Sequence, residues 1–257
     1  MKLKNAGVGL LALGLVTGCA PSSPAWAAGL PQETTGTAPD CGQAVLAPPF
    51  DFARPVVIGE IHGTEQSRSF IVSMVCTAVS QGRDVTLALE MPQDAVEDAL
   101  ASRIDDTTFW RMRYPDGRAS VAMRAMLSDL EILSDTGRLK IIGFGSEDGS
   151  SDAVYAQRIQ AGVRQGDALI VLVGSYHARR PTPGDAGETL TTALGDVVNV
   201  RVANSSPGSA WVCTPECGVH ELAGAAGPLP LAFSPVRAAN GFDYFFVVQT
   251  FTPSEPF

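Results

Sequence analysis

Four side chains with acid–base character stand directly behind apolar runs. Glu60 and His62 follow Val56-Val57-Ile58-Gly59. Glu90 follows Leu87-Ala88-Leu89, and His177 follows Val173-Gly174-Ser175-Tyr176. Both histidines close a Gly-x-x-His motif, and the two glycines lie 115 residues apart. Imidazole and carboxylate together suit two kinds of chemistry. They can ligate Mn²⁺, Co²⁺ or Zn²⁺, or they can activate water as general acid and base without a metal. Glu60, His62, Glu90 and His177 are therefore the candidate catalytic residues and, on the first option, the candidate metal ligands.

Each has a plainer reading. A carboxylate after a strand is often only a helix cap, and Glu65 in particular suits a helix N-terminus. A single histidine would decide little; two in the same frame point to one site. Glu90, after a run of apolar residues, needs a partner or a raised pKa if it is buried. Glu65, Tyr176, Arg179 and Arg118 are candidates for contacts to a substrate or cofactor. Glu147 and Asp148 follow another apolar run and suit a solvated Gly/Ser loop equally well. No Gly-x-Ser-x-Gly elbow, phosphate-binding Gly-x-x-x-x-Gly-Lys loop or dinucleotide fingerprint occurs.

The elements that must position these residues alternate. Strands are expected over 55–59, 85–89, 139–144, 168–173 and 197–203, with a last one over 245–251 that is antiparallel at the sheet edge. Phe70, Ile71, Met74, Val75 and Ala78 recur with helical spacing, with Thr64 as cap and Gly82 as stop. Further helices are expected from Pro92, over 120–136 and over 152–165. This predicts an α/β fold: one mostly parallel β-sheet in a single domain, helices on both faces, and a cleft at the C-terminal ends of the strands. Residues 205–240, rich in Pro, Ala and Gly, have no clear assignment.

Composition narrows the partners. The net charge is −9 and no Lys/Arg cluster occurs, which argues against nucleic acid and against electrostatic binding to anionic membranes. The N-terminus reads as an export signal. Lys2 and Lys4 precede an apolar stretch over 6–17 that is too short to span a bilayer. Val16-Thr17-Gly18-Cys19 resembles a bacterial lipobox, with Cys19 the lipidated residue; Ala25-Trp26-Ala27 offers an ordinary cleavage site instead. The expected organisation is a signal peptide over 1–19, a flexible tether over 20–47 and the α/β domain over 48–257. The expected location is the bacterial envelope, as an outer-membrane lipoprotein facing the periplasm. Four cysteines then remain, and an oxidising compartment favours the pairs Cys213–Cys217 and Cys41–Cys76. Cys213, Cys217 and His220 also have ligand-like spacing, without a fourth ligand nearby.

Gly59-Glu60-Ile61-His62-Gly63-Thr64-Glu65, Ala88-Leu89-Glu90 and Gly174-Ser175-Tyr176-His177 together resemble the superfamily that joins erythromycin esterases, ChaN-like haem-binding lipoproteins and the TraB/PrgY/Tiki proteins. The resemblance covers about half of the chain, from Pro55 to Arg180. It implies an α/β fold with its cleft at the strand ends. It also implies one of two activities: a hydrolase using the Glu/His cluster on a small molecule or peptide, or a haem-binding lipoprotein that works as a homodimer. On the second, His177, Tyr176 or His62 would be the axial ligand.

Overall fold

The computed structural model describes Cys41 and residues 46–101, 114–146, 149–184, 187–224, 232–235 and 240–256. Cys19, the expected signal region and the Glu147–Asp148 pair lie outside the described residues. A seven-stranded sheet has the order β3-β2-β4-β1-β5-β9-β8. Its strands are β1 (Val56–Glu60), β2 (Val85–Leu89), β3 (Leu139–Gly143), β4 (Ala168–Gly174), β5 (Val198–Asn204), β8 (Ala232–Pro235) and β9 (Tyr244–Val248). All neighbours run parallel except β8, which is antiparallel to β9. A separate hairpin joins β6 (Gly208–Cys213) and β7 (Cys217–Leu222).

The described helices are α1 (Glu65–Ser80), α2 (Gln93–Leu100), α3 (Val121–Asp135), α4 (Asp152–Gly162), α5 (Ser175–Ala178) and α6 (Leu190–Leu194). None is long and apolar enough to cross a membrane. The sheet separates two apolar layers. Val56, Ile58, Leu87, Leu89, Ile170 and Leu172 pack toward α1, α2 and α3. Val57, Ala88, Val171 and Val173 pack toward α4, α5 and α6. Strands buried on both sides explain the unbroken apolar runs. Burying each Val, Ile or Leu contributes about 1.5–3 kcal/mol, so the central strands β1 and β4 hold the fold.

Several local expectations need correcting. The last strand is not the antiparallel edge: β9 pairs in parallel with β5, and the short β8 lies outside it. The segment without an assignment supplies both β8 and the hairpin. Helix α4 stops at Gly162, because Val163 is already extended. Thr64 occupies the N-cap of α1, but its hydroxyl does not cap. It donates to the Ile61 carbonyl and bonds the Ser67 hydroxyl instead. Cys41 is bonded to Cys76, and Leu46 N–H donates to Thr77 Oγ1, so the chain ahead of β1 is tied to α1.

Parallel register sets Glu60 beside Gly174 and Gly59 beside Val173. Helix α1 leaves β1 on one face while α5 and α6 leave β4 toward the other. That divergence opens a crevice beyond the carboxyl ends of the two strands, the usual ligand position in such sheets. Gly59 is needed there: a Cβ would lie 2.8 Å from Ala178 Cβ and 3.1 Å from Ser175 Cα. Gly59→Ala should push α5 off β1 and cost about 1–3 kcal/mol. Gly218→Ala, where a Cβ meets nothing within 4 Å, should stay within about 0.5 kcal/mol of the parent. Denaturant unfolding of the two variants checks both.

Candidate functional site

His62 stands between two carboxylates. Its Nδ1 is 3.0 Å from Glu60 Oε1, and its Nε2 is 3.6 Å from Glu90 Oε2. Glu60 and Glu90 are buried, and His62 is one-fifth exposed. Burial pulls the imidazolium pKa down. The hydrogen bond to Glu60 and the charges of Glu90, Glu60 and Asp116 outweigh it and raise it to about 9. At neutral pH His62 is therefore a cation that donates to Glu60.

Glu90 is fixed from three sides. Its Oε2 accepts from Gly174 N–H at 2.8 Å, and its Oε1 lies 3.5 Å from Arg118 Nη1. Behind it, Gly145 N–H donates to the Met91 carbonyl, and a Cβ on Gly145 would sit 2.8 Å from Glu90 C. Arg118 is held by Asp116, which accepts from Arg118 Nε at 2.8 Å and from Arg118 N–H at 3.1 Å. Burial disfavours its charge, and Asp116 and Glu90 more than restore it. Glu60, His62, Glu90 and Arg118, with Met91, Met123 and Leu172, line one small depression.

The loops that carry His62 and Arg118 meet under the β6–β7 hairpin. Gly63 and Gly117 both have positive φ, at 63° and 85°. A Cβ on Gly63 would lie 2.4 Å from the Trp211 carbonyl oxygen, and one on Gly117 would lie 2.9 Å from Gly63. Trp211 N–H donates to Gly63 O, and its indole Nε1–H donates to Pro115 O. The hairpin that positions these loops is closed by the Cys213–Cys217 disulfide. His220 is turned away, with Nε2 at 2.9 Å from Glu216 O.

His177 is on the other side of the crevice. It is one-third exposed, and its Nδ1 is 2.6 Å from Oδ1 of the buried Asp152. That hydrogen bond raises its pKa; burial opposes it, and Glu90 and Asp152 add to the rise while the His62 charge reduces it. In its neutral form, with Nδ1–H given to Asp152, His177 has a lone pair on Nε2, the arrangement of an oriented general base. Asp152 was missed in the sequence, where it reads only as a helix start 25 residues before its partner. A buried acid in the first turn of a helix after an apolar strand was the one available signal.

The neighbouring side chains have other partners. Ser175 Oγ donates to the Glu60 carbonyl, so its hydroxyl ties β1 to α5. Glu65 lies in the first turn of α1, where its charge favours the helix N-terminus. Tyr176 is 63% exposed, with the Arg179 guanidinium 4.8 Å from its ring centroid.

The divalent-metal expectation is not supported. Among the described residues no three His, Cys, Asp or Glu side chains converge on a common point. The reason is geometric: the His62 ring occupies the space between Glu60 and Glu90, with a ring nitrogen toward each, while His177 is directed to Asp152.

No family model matches the chain, and no curated protein matches it in sequence. Solved structures do. A succinoglycan biosynthesis protein is 11% identical over 80% of this chain and 90% of its own, with a TM-score of 0.55. The type III effector HopBA1 is 12% identical over 76% of this chain and 88% of its own (TM-score 0.45). The haem-binding ChaN of Campylobacter jejuni is 13% identical over 76% and 87% (TM-score 0.37). The likeness to the first is one of fold: a mostly parallel α/β domain.

A raised histidine pKa makes stability depend on pH with a definite sign. The His62 contribution is fully present below about pH 6.5, its unfolded value, and is lost as pH rises through about 9. Unfolding midpoints should fall across that window in the parent protein and fall less steeply in Glu60→Gln. Equal slopes would contradict the ion pair.

Proposed function

We propose that the strand-end cleft binds a small molecule and that its two histidines equip it for acid–base hydrolysis of that ligand. One observation carries this reading: His177 is oriented by the buried Asp152 just after β4, while His62 is held between Glu60 and Glu90 just after the adjacent β1. His177 Nε2 takes a proton from water as the water adds to the acyl carbon, and returns it to the leaving oxygen as the bond to that oxygen breaks. His62 and Arg118 offer positive charge to the oxyanion that develops. Glu60 and Glu90 keep His62 charged, so its role is electrophilic.

A second reading, haem binding, is favoured by the exposure of Tyr176. A phenol at the rim of the cleft, with the Arg179 cation over its ring, suits axial ligation of an iron porphyrin and contact with an acidic side group. His177 suits this role less well, because Asp152 already holds it. A homodimer that brings two such rims together goes with this reading.

Export is part of the proposal. Its support is the Lys2/Lys4 apolar leader, the Cys19 motif and the two disulfides, which persist in oxidising compartments. The membrane partner would be reached through the Cys19 lipid.

Saturable turnover of p-nitrophenyl esters should drop about 10²–10⁴-fold in His177→Gln, with the unfolding midpoint nearly kept. Its pH profile should be a bell, rising as His177 loses its proton and falling near pH 9 as His62 does. A folded His177→Gln protein with full turnover would remove hydrolysis. Haemin should in that case develop a shifted Soret band that Tyr176→Phe abolishes, and the absence of any shift would remove the second reading.

A further inference from the structure

Arg201 sits on β5 directly opposite Gly59 of β1 and Phe245 of β9. It is half-buried, and its Nε is sealed from solvent without an acceptor. Among the described residues its guanidinium lies against an aromatic ring, with the guanidinium carbon 5.9 Å from the Phe245 centroid. An unpaired arginine in water needs no explanation, but one with a sealed N–H does. Burial lowers its pKa, and among the described residues no carboxylate offsets this.

The contrast with a nearby arginine is sharp. Arg180 donates to Asn199 Oδ1 at 2.7 Å, to Asp243 at 2.7 and 3.0 Å and to the Val197 carbonyl at 2.9 Å. Asn199 lies two positions before Arg201 on the same strand face. Among the described residues the fold therefore supplies four acceptor atoms to the Arg180 guanidinium and leaves Arg201 Nε without one. The short helix α5, which carries Tyr176 and His177, packs on both β1 and β5. Arg201 thus flanks the segment that carries the proposed base.

We infer that Arg201 is an anion subsite that receives a carboxylate or phosphate group of the ligand, with the Phe245 ring as its platform. Arginine presents a planar fork that suits either group. The position of the rest of the ligand rests on the cleft reading above; anion binding at Arg201 does not.

The test is an arginine Nε–Hε NMR titration of the ¹⁵N-labelled protein with acetate and, separately, inorganic phosphate, replacing chloride at constant ionic strength. Arg201→Lys assigns the signal. The Arg201 signal should move saturably, with at least about ten-fold tighter binding than the exposed Arg83, as one charge-assisted hydrogen bond provides. Saturation by one anion and not the other names the group. A shift as weak and linear as that of Arg83 for both anions would overturn the subsite. Thermal unfolding gives a second reading: the binding anion should raise the midpoint of the parent and not of Arg201→Met, and an equal rise in both would also overturn it. A saturable shift in a protein that neither hydrolyses esters nor binds haemin would leave the subsite standing and remove the cleft readings alone.

Discussion

A histidine held between two buried carboxylates organises this molecule. His62 fills the gap between Glu60 and Glu90 and answers their charge. Without it, two acids at the ends of β1 and β2, on either side of β4, would face each other in a poorly solvated crevice, at a cost of several kcal/mol. Its proton is thus a structural component at neutral pH. The same proton defines what the cleft can do, because a charged imidazole can stabilise an anion and cannot serve as a base. In the proposed hydrolysis the base therefore has to come from elsewhere, and that reading assigns the role to the Asp152-oriented His177.

The paired Gly-x-x-His motifs have a packing explanation that joins fold to site. Each glycine makes room for the other motif. A Cβ on Gly174 would lie 3.1 Å from His62 Nε2, and one on Gly59 would press on Ser175 and Ala178. Parallel register between β1 and β4 brings these contacts about. The glycines are therefore tied to the approach of the histidine-bearing segments rather than to turns. Arg118 and His62 are joined in a similar manner by Gly63 and Gly117 beneath Trp211.

The sheet was legible because its central strands are buried on both faces and so read as unbroken apolar runs. The strand-end position of Glu60, His62, Glu90 and His177 followed from that alone. What was not legible depends on long-range partners. Asp152 has no local mark that ties it to His177. The hairpin was hidden because β7 alternates exposed and half-buried residues in a segment rich in small residues. The edge was misassigned because β8 has only four residues, too few for a periodic signal, so the stronger apolar run of β9 seemed to end the sheet. The metal expectation is without support for a related reason: strand-end position puts His62 and both carboxylates at one sheet edge but does not say that its ring lies between them.

The most direct measurement is the charge on His62, read from its ring ¹⁵N shifts between pH 6 and 10, with His220 in the same spectra as reference. The account predicts that the His62 ring keeps both protons at neutral pH and loses one only near pH 9. A His62 ring that is neutral at pH 7.5, titrating near the ordinary value of about 6.5, would contradict it. In that case the two carboxylates would not be clamping a cation, and the division of roles between His62 and His177 would fall.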